Sequence, residues 1–394
     1  MKILTFSRKV TVYNKHAEHT AEINCNPGER LVFDNDNALC IQQSPGSAGY
    51  IWEVSDLGPM LEEIPRPIHW KKKRVLFYRN RGFGDQLIMS SVSRFFREVL
   101  GADSHQLADR VHESIWAHNP YIGGVPLSVP MHIDSVWRQS PGRPFFDGTF
   151  FIESATEWDS DSEQPNVYDR LFAMVGMDPA RVPPKYKRPV FAISPEDIEK
   201  RIAWLKQTSS ICNRDLSAGY IFVQLRATNK VRSIPTRLAG MLLGALDEVA
   251  AKKGLTAILA DNQPLAGDIA SEVAKLRHVV NVTTTIPNIR LYGTILGGAM
   301  LVVGPDSVAL HFAAAFETPA VGIWGPFSPE SRCKYYPNQV HLFHPEMCDS
   351  CPCYNYLAEL PVSKCPRGTK QETCEVYEGI TYDELYSAIL EALP

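Results

Sequence analysis

The chain has 394 residues, with 40 Lys and Arg against 44 Asp and Glu and a net charge of −4. Hydrophobic residues make up 44% and charged ones 21%, a globular balance that excludes disordered, collagen-like and coiled-coil chains. The slight acidity argues against a protein that lives on phosphate backbones, and no apolar run approaches a membrane span. The start carries charge at Lys2, Arg8 and Lys9 with no apolar core, so it is not a signal peptide, and a cytoplasmic protein of two or three domains is expected.

Residues 1–64 read as β. Short apolar segments (KILTFS, KVTVYN, RLVFDN, ALCIQQ, YIWEVS) alternate with turn chemistry (NPGE, DNDN, SPGSAG). IPRPIHWKKK (64–73) reads as a linker, since its prolines forbid a helix. RVLFYR (74–79) then suits a buried parallel strand, NRGFG (80–84) a turn, and apolar residues at 87, 88, 92, 95, 96, 99 and 100 a helix. Signals weaken up to residue 195, with an acidic loop at 153–164. Residues 196–218 suggest a helix and a polar connector, SSICNRDLSAG.

From residue 220 strands and helices alternate clearly. Strands are expected at 220–225, 255–260, 279–283, 301–304 and 320–325, with helices at 237–253, near 266–277, near 289–299 and at 307–316. Such alternation predicts a parallel, doubly wound α/β sheet. The expected division is a β-rich extension (1–70), a first α/β domain (71–205) and a second with a cysteine-rich tail (206–394).

Ligands of open parallel sheets bind beyond the carboxyl ends of the strands, so the chemistry is sought in the loops there. The first holds Arg81, Gly82, Gly84 and Asp85. Asp85 reads either as a general base or as a helix cap. The second runs Arg226-Ala227-Thr228-Asn229-Lys230-Val231-Arg232-Ser233-Ile234-Pro235, and its three cations suit a diphosphate or simply a solvated loop. The third, Gly304-Pro305-Asp306-Ser307, leads into Val308, Ala309 and His311. A helix start there offers free N–H groups to an anion, while Asp306 would repel one and better suits sugar hydroxyls or a cap. His311, one turn in, reads as structural or as support for that anion site.

The 79–85 loop with its helix, the Lys230 loop and above all GPDSVALHFAAAFETPAVGIWGPFSPE (304–330) resemble glycosyltransferase family 9, the lipopolysaccharide heptosyltransferases and their relatives. The tail, with Cys348, Cys351, Cys353, Cys365, Cys374 and GITYDELYSAI, resembles that family's C-terminal end. The resemblance covers about residues 74–392 and leaves 1–70 outside. It implies a GT-B fold, two Rossmann-like doubly wound domains facing a cleft. It also implies inverting, metal-independent transfer from a nucleotide-diphosphate sugar to an acceptor hydroxyl, most simply of a glycan, with no cofactor. Asp85 would be the base and Arg81, Gly82 and Gly84 would line the acceptor side. Arg226, Thr228, Lys230, Arg232, Ser307, Val308, Ala309 and His311 would bind the donor diphosphate. Asp306 would meet donor hydroxyls, and the loop at Asn288 would lie near the nucleobase.

Two departures leave the donor open. The family's usual Gly after Asp-Ser is Val308, which resists positive φ, and its Lys-x-Trp-Pro is replaced by a loop in which Lys230 and Arg232 could exchange roles. Other readings also stand: a non-catalytic nucleotide-sugar or carbohydrate binder on the same fold, or a transferase acting on a modified nucleobase in DNA or on a protein. Asp159-Ser160-Asp161 matches the DxD of metal-dependent transferases, but in an acidic loop; GxGxxG and GxxxxGK are absent. The tail cysteines read as a zinc staple, free thiols or a disulfide.

Overall fold

A computed structural model describes residues 2–5, 10–14, 22–25, 30–33, 39–43, 51–53, 61–63, 69–78, 82–108, 114–126, 136–139, 148–151, 166–228, 230–261, 263–265, 267–283, 285–352 and 373–394. They fall into two compact units, one of residues 1–81, 92–113 and 120–153, the other of 82–91, 114–119 and 154–394.

The first unit opens with seven strands: β1 (Lys2–Thr5), β2 (Val10–Asn14), β3 (Glu22–Cys25), β4 (Arg30–Phe33), β5 (Leu39–Gln43), β6 (Ile51–Glu53) and β7 (Leu61–Glu63). β3 and β7 are additions to the five strands expected from the sequence. β8 (Arg74–Tyr78) follows, then the 16-residue helix α1 (Phe83–Glu98), whose residues 83–91 count with the second unit, then β9 (Asp103–Ala108), β10 (Gly123–Pro126), β11 (Val136–Gln139) and β12 (Gly148–Phe151). Three sheets result. Two are antiparallel, in the orders β3-β2-β5-β6 and β11-β4-β1-β7. The third is parallel, in the order β10-β9-β8-β12. Phe77, Phe96 and Phe150 meet over its surface, with Phe77 and Phe96 edge-to-face at 5.1 Å. β11 joins the N-terminal strands although it lies more than 60 residues beyond the linker.

The second unit contains α2 (Val167–Met174), α3 (Pro195–Cys212), β13 (Tyr220–Val223), α4 (Thr236–Lys253), β14 (Thr256–Leu259), α5 (Gly267–Val273), β15 (Val279–Asn281) and α6 (Ile289–Leu296). It continues with β16 (Leu301–Pro305), α7 (Val308–Phe316), β17 (Ala320–Ile323), α8 (Pro329–Cys333), β18 (Gln339–Leu342) and α9 (Tyr382–Ala392). Its six strands are all parallel, in the order β15-β14-β13-β16-β17-β18. Counted within this sheet the order is 3-2-1-4-5-6, the doubly wound arrangement of dinucleotide folds. β13, β14, β16 and β17 are buried throughout, which is why each reads as an unbroken apolar run. Leu238, Leu242, Leu246 and Val249 of α4 and Leu385 and Ile389 of α9 close one face of the sheet. Among the described residues no helix is long and apolar enough to cross a membrane.

α3 runs further than the sequence suggests. Ser194 and Asp197 form a capping box at its start, Pro195 opens it, and it stops only where Asn213 turns left-handed at φ 52°. The SSIC of the expected connector is therefore helical.

One cation fastens several segments of this unit. Arg290, at the start of α6, donates through Nε to Asp197 Oδ1 at 2.8 Å and through Nη2 to Asp197 Oδ2. It also donates to the carbonyls of Ser114 (3.1 Å), Ala117 (3.2 Å) and Ala192 (2.9 Å), and lies over the Phe191 ring. Burial alone would push the Asp197 carboxyl up, but its bonds from Arg290 and Ser194 hold it down at about 2. Because the folded value lies below the ordinary 3.8, this stabilisation is complete above pH ~4 and is lost as the pH falls toward 2. Arg290→Ala should cost ~3–5 kcal/mol of unfolding free energy, since it strands a half-buried carboxylate. Denaturant melts should show the Arg290→Met, Asp197→Leu double variant losing less than that single one.

Candidate active site

In the six-stranded sheet the strand order reverses between β13 and β16, and the loops leaving their carboxyl ends part there. Gln224, the residue after β13, is 6% exposed and ties the two loops together. Its Oε1 accepts from Ser307 Oγ at 3.1 Å and from the Tyr292 hydroxyl. Ser307 caps α7, accepting from Ala309 N at 3.4 Å. Val308 opens α7 and is not among the residues with positive φ, so the family's glycine is replaced without backbone strain. The first turn of a helix capped this way presents N–H groups at the strand reversal.

The loop after β13 is held from two sides. Asp261, just past β14, accepts from Arg226 N at 3.0 Å and Leu225 N at 3.3 Å, while Ser233 Oγ accepts from Ala227 N at 3.0 Å. The Arg226 side chain reaches Pro264 O at 2.9 Å. Lys230–Arg232 form a single 3₁₀ turn. Arg232 Nη1 lies 3.2 Å from Asp306 Oδ2, so the carboxylate that would repel phosphate is neutralised from the opposite loop. Tyr377 donates to Arg232 O at 2.7 Å. Arg232 and the buried Arg332 of α8 both lie against the Phe327 ring, at 5.8 and 5.2 Å from its centroid. Lys230 and Thr228 are exposed beside them.

His311 sits behind this cluster, 6% exposed. Its Nδ1 meets the Tyr336 hydroxyl at 2.5 Å, and that hydroxyl meets Tyr168 at 2.6 Å. Burial is the main reason its pKa falls to about 4; Asp306 and Asp85 push it up, Arg332 and Arg232 down. These four charges therefore surround one imidazole. The ring lies so close to Gly84 that a Cβ there would come within 2.8 Å of His311 Cδ2. Asp85 stands in the first turn of α1 rather than at its cap. Gly82 has φ +69°, and a Cβ on it would fall 2.2 Å from Asp85 Oδ2, so the position needs glycine twice over.

Asp85, Arg232, Asp306, Ser307, Val308, Ala309 and His311 are thus brought together. Asn288 is not: it caps α6, accepting from Leu291 N at 2.9 Å. Arg226 turns toward Pro264. Arg81, Asn229, Asp159-Ser160-Asp161, Cys353 and Cys365 lie outside the described residues. Among the described residues Cys348, Cys351 and Cys374 form no disulfide with one another, and no three metal-ligating side chains come together. The loop reading missed Gln224, Asp261, Arg332 and Tyr336. Asp261 follows a strand directly, so the rule applied to the other loops would have found it. Gln224 hides at the end of the run YIFVQL, and nothing local marks Tyr336.

Residues 245–357 match the family model described as glycosyltransferase family 9 (heptosyltransferase). No curated protein matches the chain. Among solved structures, the iron-containing dodecameric glycosyltransferase TibC from enterotoxigenic E. coli H10407 is similar at 14% identity and a TM-score of 0.55, over 99% of this chain and 93% of that one. E. coli ADP-heptose lipopolysaccharide heptosyltransferase II is similar at 12% identity and 0.55, over 81% and 98%. The glycosyltransferase family 9 protein of Veillonella parvula DSM 2008 is similar at 13% and 0.52, over 70% and 87%. These findings support a glycosyltransferase and bear out both the resemblance and the GT-B fold class. The likeness to TibC also takes in the N-terminal strands, which the family resemblance left out.

Asp261 has a cost that the site keeps. It is buried, its Oδ2 has no partner among the described residues, and burial pushes its carboxyl up to about 6, against the backbone N–H groups and the Arg226 charge that pull it down. A folded value above the ordinary 3.8 means that the charge opposes folding above pH ~6 and stops doing so below pH ~4. Asp261→Asn keeps an acceptor for both N–H groups. It should stabilise the ligand-free protein on the order of 2 kcal/mol at pH 8 and little at pH 4, read as melting temperature across that range.

Proposed function

We propose, for a chain whose residues 245–357 carry the glycosyltransferase family 9 signature, that it moves a sugar from a nucleotide-diphosphate sugar to an acceptor hydroxyl by inverting single displacement. The observation that carries this reading is the meeting, at one strand reversal, of a capped helix start, a cationic turn and the Asp85 carboxylate. A leaving diphosphate gathers charge as the bond to the sugar breaks. Lys230 and the N–H groups of Val308 and Ala309 supply positive charge that strengthens with it, and that is where stabilisation raises the rate. Asp85 takes the proton of the acceptor hydroxyl only as its oxygen closes on the anomeric carbon. Arg232 steadies Asp306, leaving that carboxylate to accept from donor sugar hydroxyls. Asp261 stands past the second strand of the 3-2-1-4-5-6 sheet, where dinucleotide folds hold a ribose hydroxyl.

A TibC structure holds ADP-D-β-D-heptose, so an ADP-sugar leads the donors to test, beside UDP, GDP and CMP sugars. The acceptor is proposed to be a glycan hydroxyl, and the location cytoplasmic. The description of TibC as iron-containing directs attention to the cysteine tail. Thiolates suit iron as well as zinc. Cys348, Cys351 and Cys374 are the tail thiols described, and among the described residues they do not by themselves come together with other ligating side chains into a site. Metal analysis of the purified protein, before and after thiol alkylation under denaturing conditions, separates a bound metal from free thiols.

Asp85→Asn should leave donor-induced thermal shifts near wild type while cutting turnover ~10²–10⁴-fold, the usual weight of general base catalysis. A variant that turns over normally removes Asp85 from the role. Lys230→Ala should weaken binding of the nucleoside diphosphate in calorimetry; unchanged affinity would pass the role to another cation of the loop.

A further inference from the structure

His311, Tyr336 and Tyr168 form a buried chain of polar groups that the sugar transfer proposed above leaves without a task. Among the described residues, Tyr168 has a single polar partner for its hydroxyl, that of Tyr336 at 2.6 Å. The Tyr336 hydroxyl has two, Tyr168 and His311 Nδ1, the latter at 2.5 Å. Tyr168 is 0% exposed and Tyr336 7%. A buried hydroxyl that withholds its proton from every acceptor costs free energy. Tyr168 must then donate to Tyr336, because no other acceptor is in reach among the described residues. The Tyr336 oxygen is thereby used as acceptor, and its own proton goes to His311 Nδ1. Nδ1 is left as the bare, accepting nitrogen.

We infer that Tyr168 and Tyr336 are positioning residues that fix His311 as the neutral imidazole with its proton on Nε2, so that the nitrogen facing Gly84 is a hydrogen-bond donor for an anion bound at the head of α7. The inference rests on the transferase reading for the identity of the anion, a phosphate oxygen of the donor, and on the hydrogen-bond chain alone for the tautomer.

Several observations support it. Burial raises both phenols well above their ordinary range, so neither ionises and both remain donors. Burial likewise keeps the imidazole neutral at working pH. The charged groups facing it are Asp85 from α1, Asp306 and Arg232 from the loops at the strand reversal, and Arg332 from α8. The ring edge carrying Nε2 points to the first turn of α1: a Cβ on Gly84 would lie 3.2 Å from that nitrogen. A neutral histidine can attract or repel a phosphate oxygen, depending on which nitrogen holds the proton. A bare Nε2 would present a lone pair to an anion, whereas Nε2–H donates to it. The two tyrosines make that choice.

The test combines a spectroscopic readout with kinetics. In protein labelled with ¹⁵N-histidine, with His311 assigned by subtraction using His311→Gln, the ligand-free wild type at pH 7 should show a protonated Nε2 and a bare Nδ1. Tyr336→Phe should abolish that preference and lower kcat ~10–100-fold, the usual weight of groups that orient a site residue, with KM for the donor little changed. Tyr168→Phe should shift the tautomer in the same direction with a smaller fall in kcat, since the Tyr336 hydroxyl is then free to point either way. Tyr335→Phe is the control. Its hydroxyl bonds Asp169 at 2.8 Å, not the chain, so the His311 signals and kcat should stay where they are. A proton on Nδ1 in the wild type overturns the inference even if every tyrosine variant unfolds. So does a folded Tyr336→Phe with wild-type kcat. If no donor supports turnover, the transferase reading fails and the tautomer result still stands.

Discussion

The reversal of strand order between β13 and β16 is the constraint on which the site depends. Where two neighbouring parallel strands send their connections to opposite faces, the loops cannot close over the sheet edge, and a gap remains. Everything assembled there is short-range once the gap exists. Gln224 ends one strand and reaches Ser307 beyond the other. Arg232 leaves one loop and meets Asp306 on the other. The N–H groups of α7 face the opening because Ser307 starts the helix there. The hydrophobic layer between the sheet and α4 and α9 buries one face of the sheet and holds it in place.

The charges around His311 are arranged in near balance: Asp85 and Asp306 against Arg232 and Arg332. In the proposed transfer, an anion entering such a place would meet little net field from this inner set, and its attraction would come from Lys230 and the helix start at the rim. That division separates two tasks. The inner four charges set geometry and hold Asp306 in place. The rim supplies the charge that responds to a diphosphate. It also accounts for an acidic residue directly beside an anion site, which the bare sequence makes hard to reconcile.

Legibility in the sequence followed burial. β13, β14, β16 and β17 are covered on both faces, so YIFV, TAIL, LVVGP and AVGI stand out as apolar runs, and the helices between them keep a clear period. β18 is only partly buried, and its sequence QVHL gives no such run. β11 was invisible for another reason: its partner β4 lies about a hundred residues earlier, and no local pattern encodes that pairing. In the candidate site, loop chemistry singled out Lys230, Arg232, Asp306 and Ser307 because each lies in a loop that leaves a strand end. Asn288, expected near the nucleobase, also caps α6, a role its residue type fills readily. Tyr336 lies 25 residues from His311, and only the fold brings its hydroxyl to the imidazole.

The chain from Tyr168 to His311 has a consequence for the traffic of protons. A row of hydroxyls that all donate in one direction can pass a proton along only if a new one enters at the far end. That end is Tyr168, sealed from solvent with its hydroxyl committed to Tyr336. The row is therefore a fixed dipole and not a conductor. In the proposed transfer, a proton taken from an acceptor would have no exit through α7 and would leave with the carboxylate proposed to receive it.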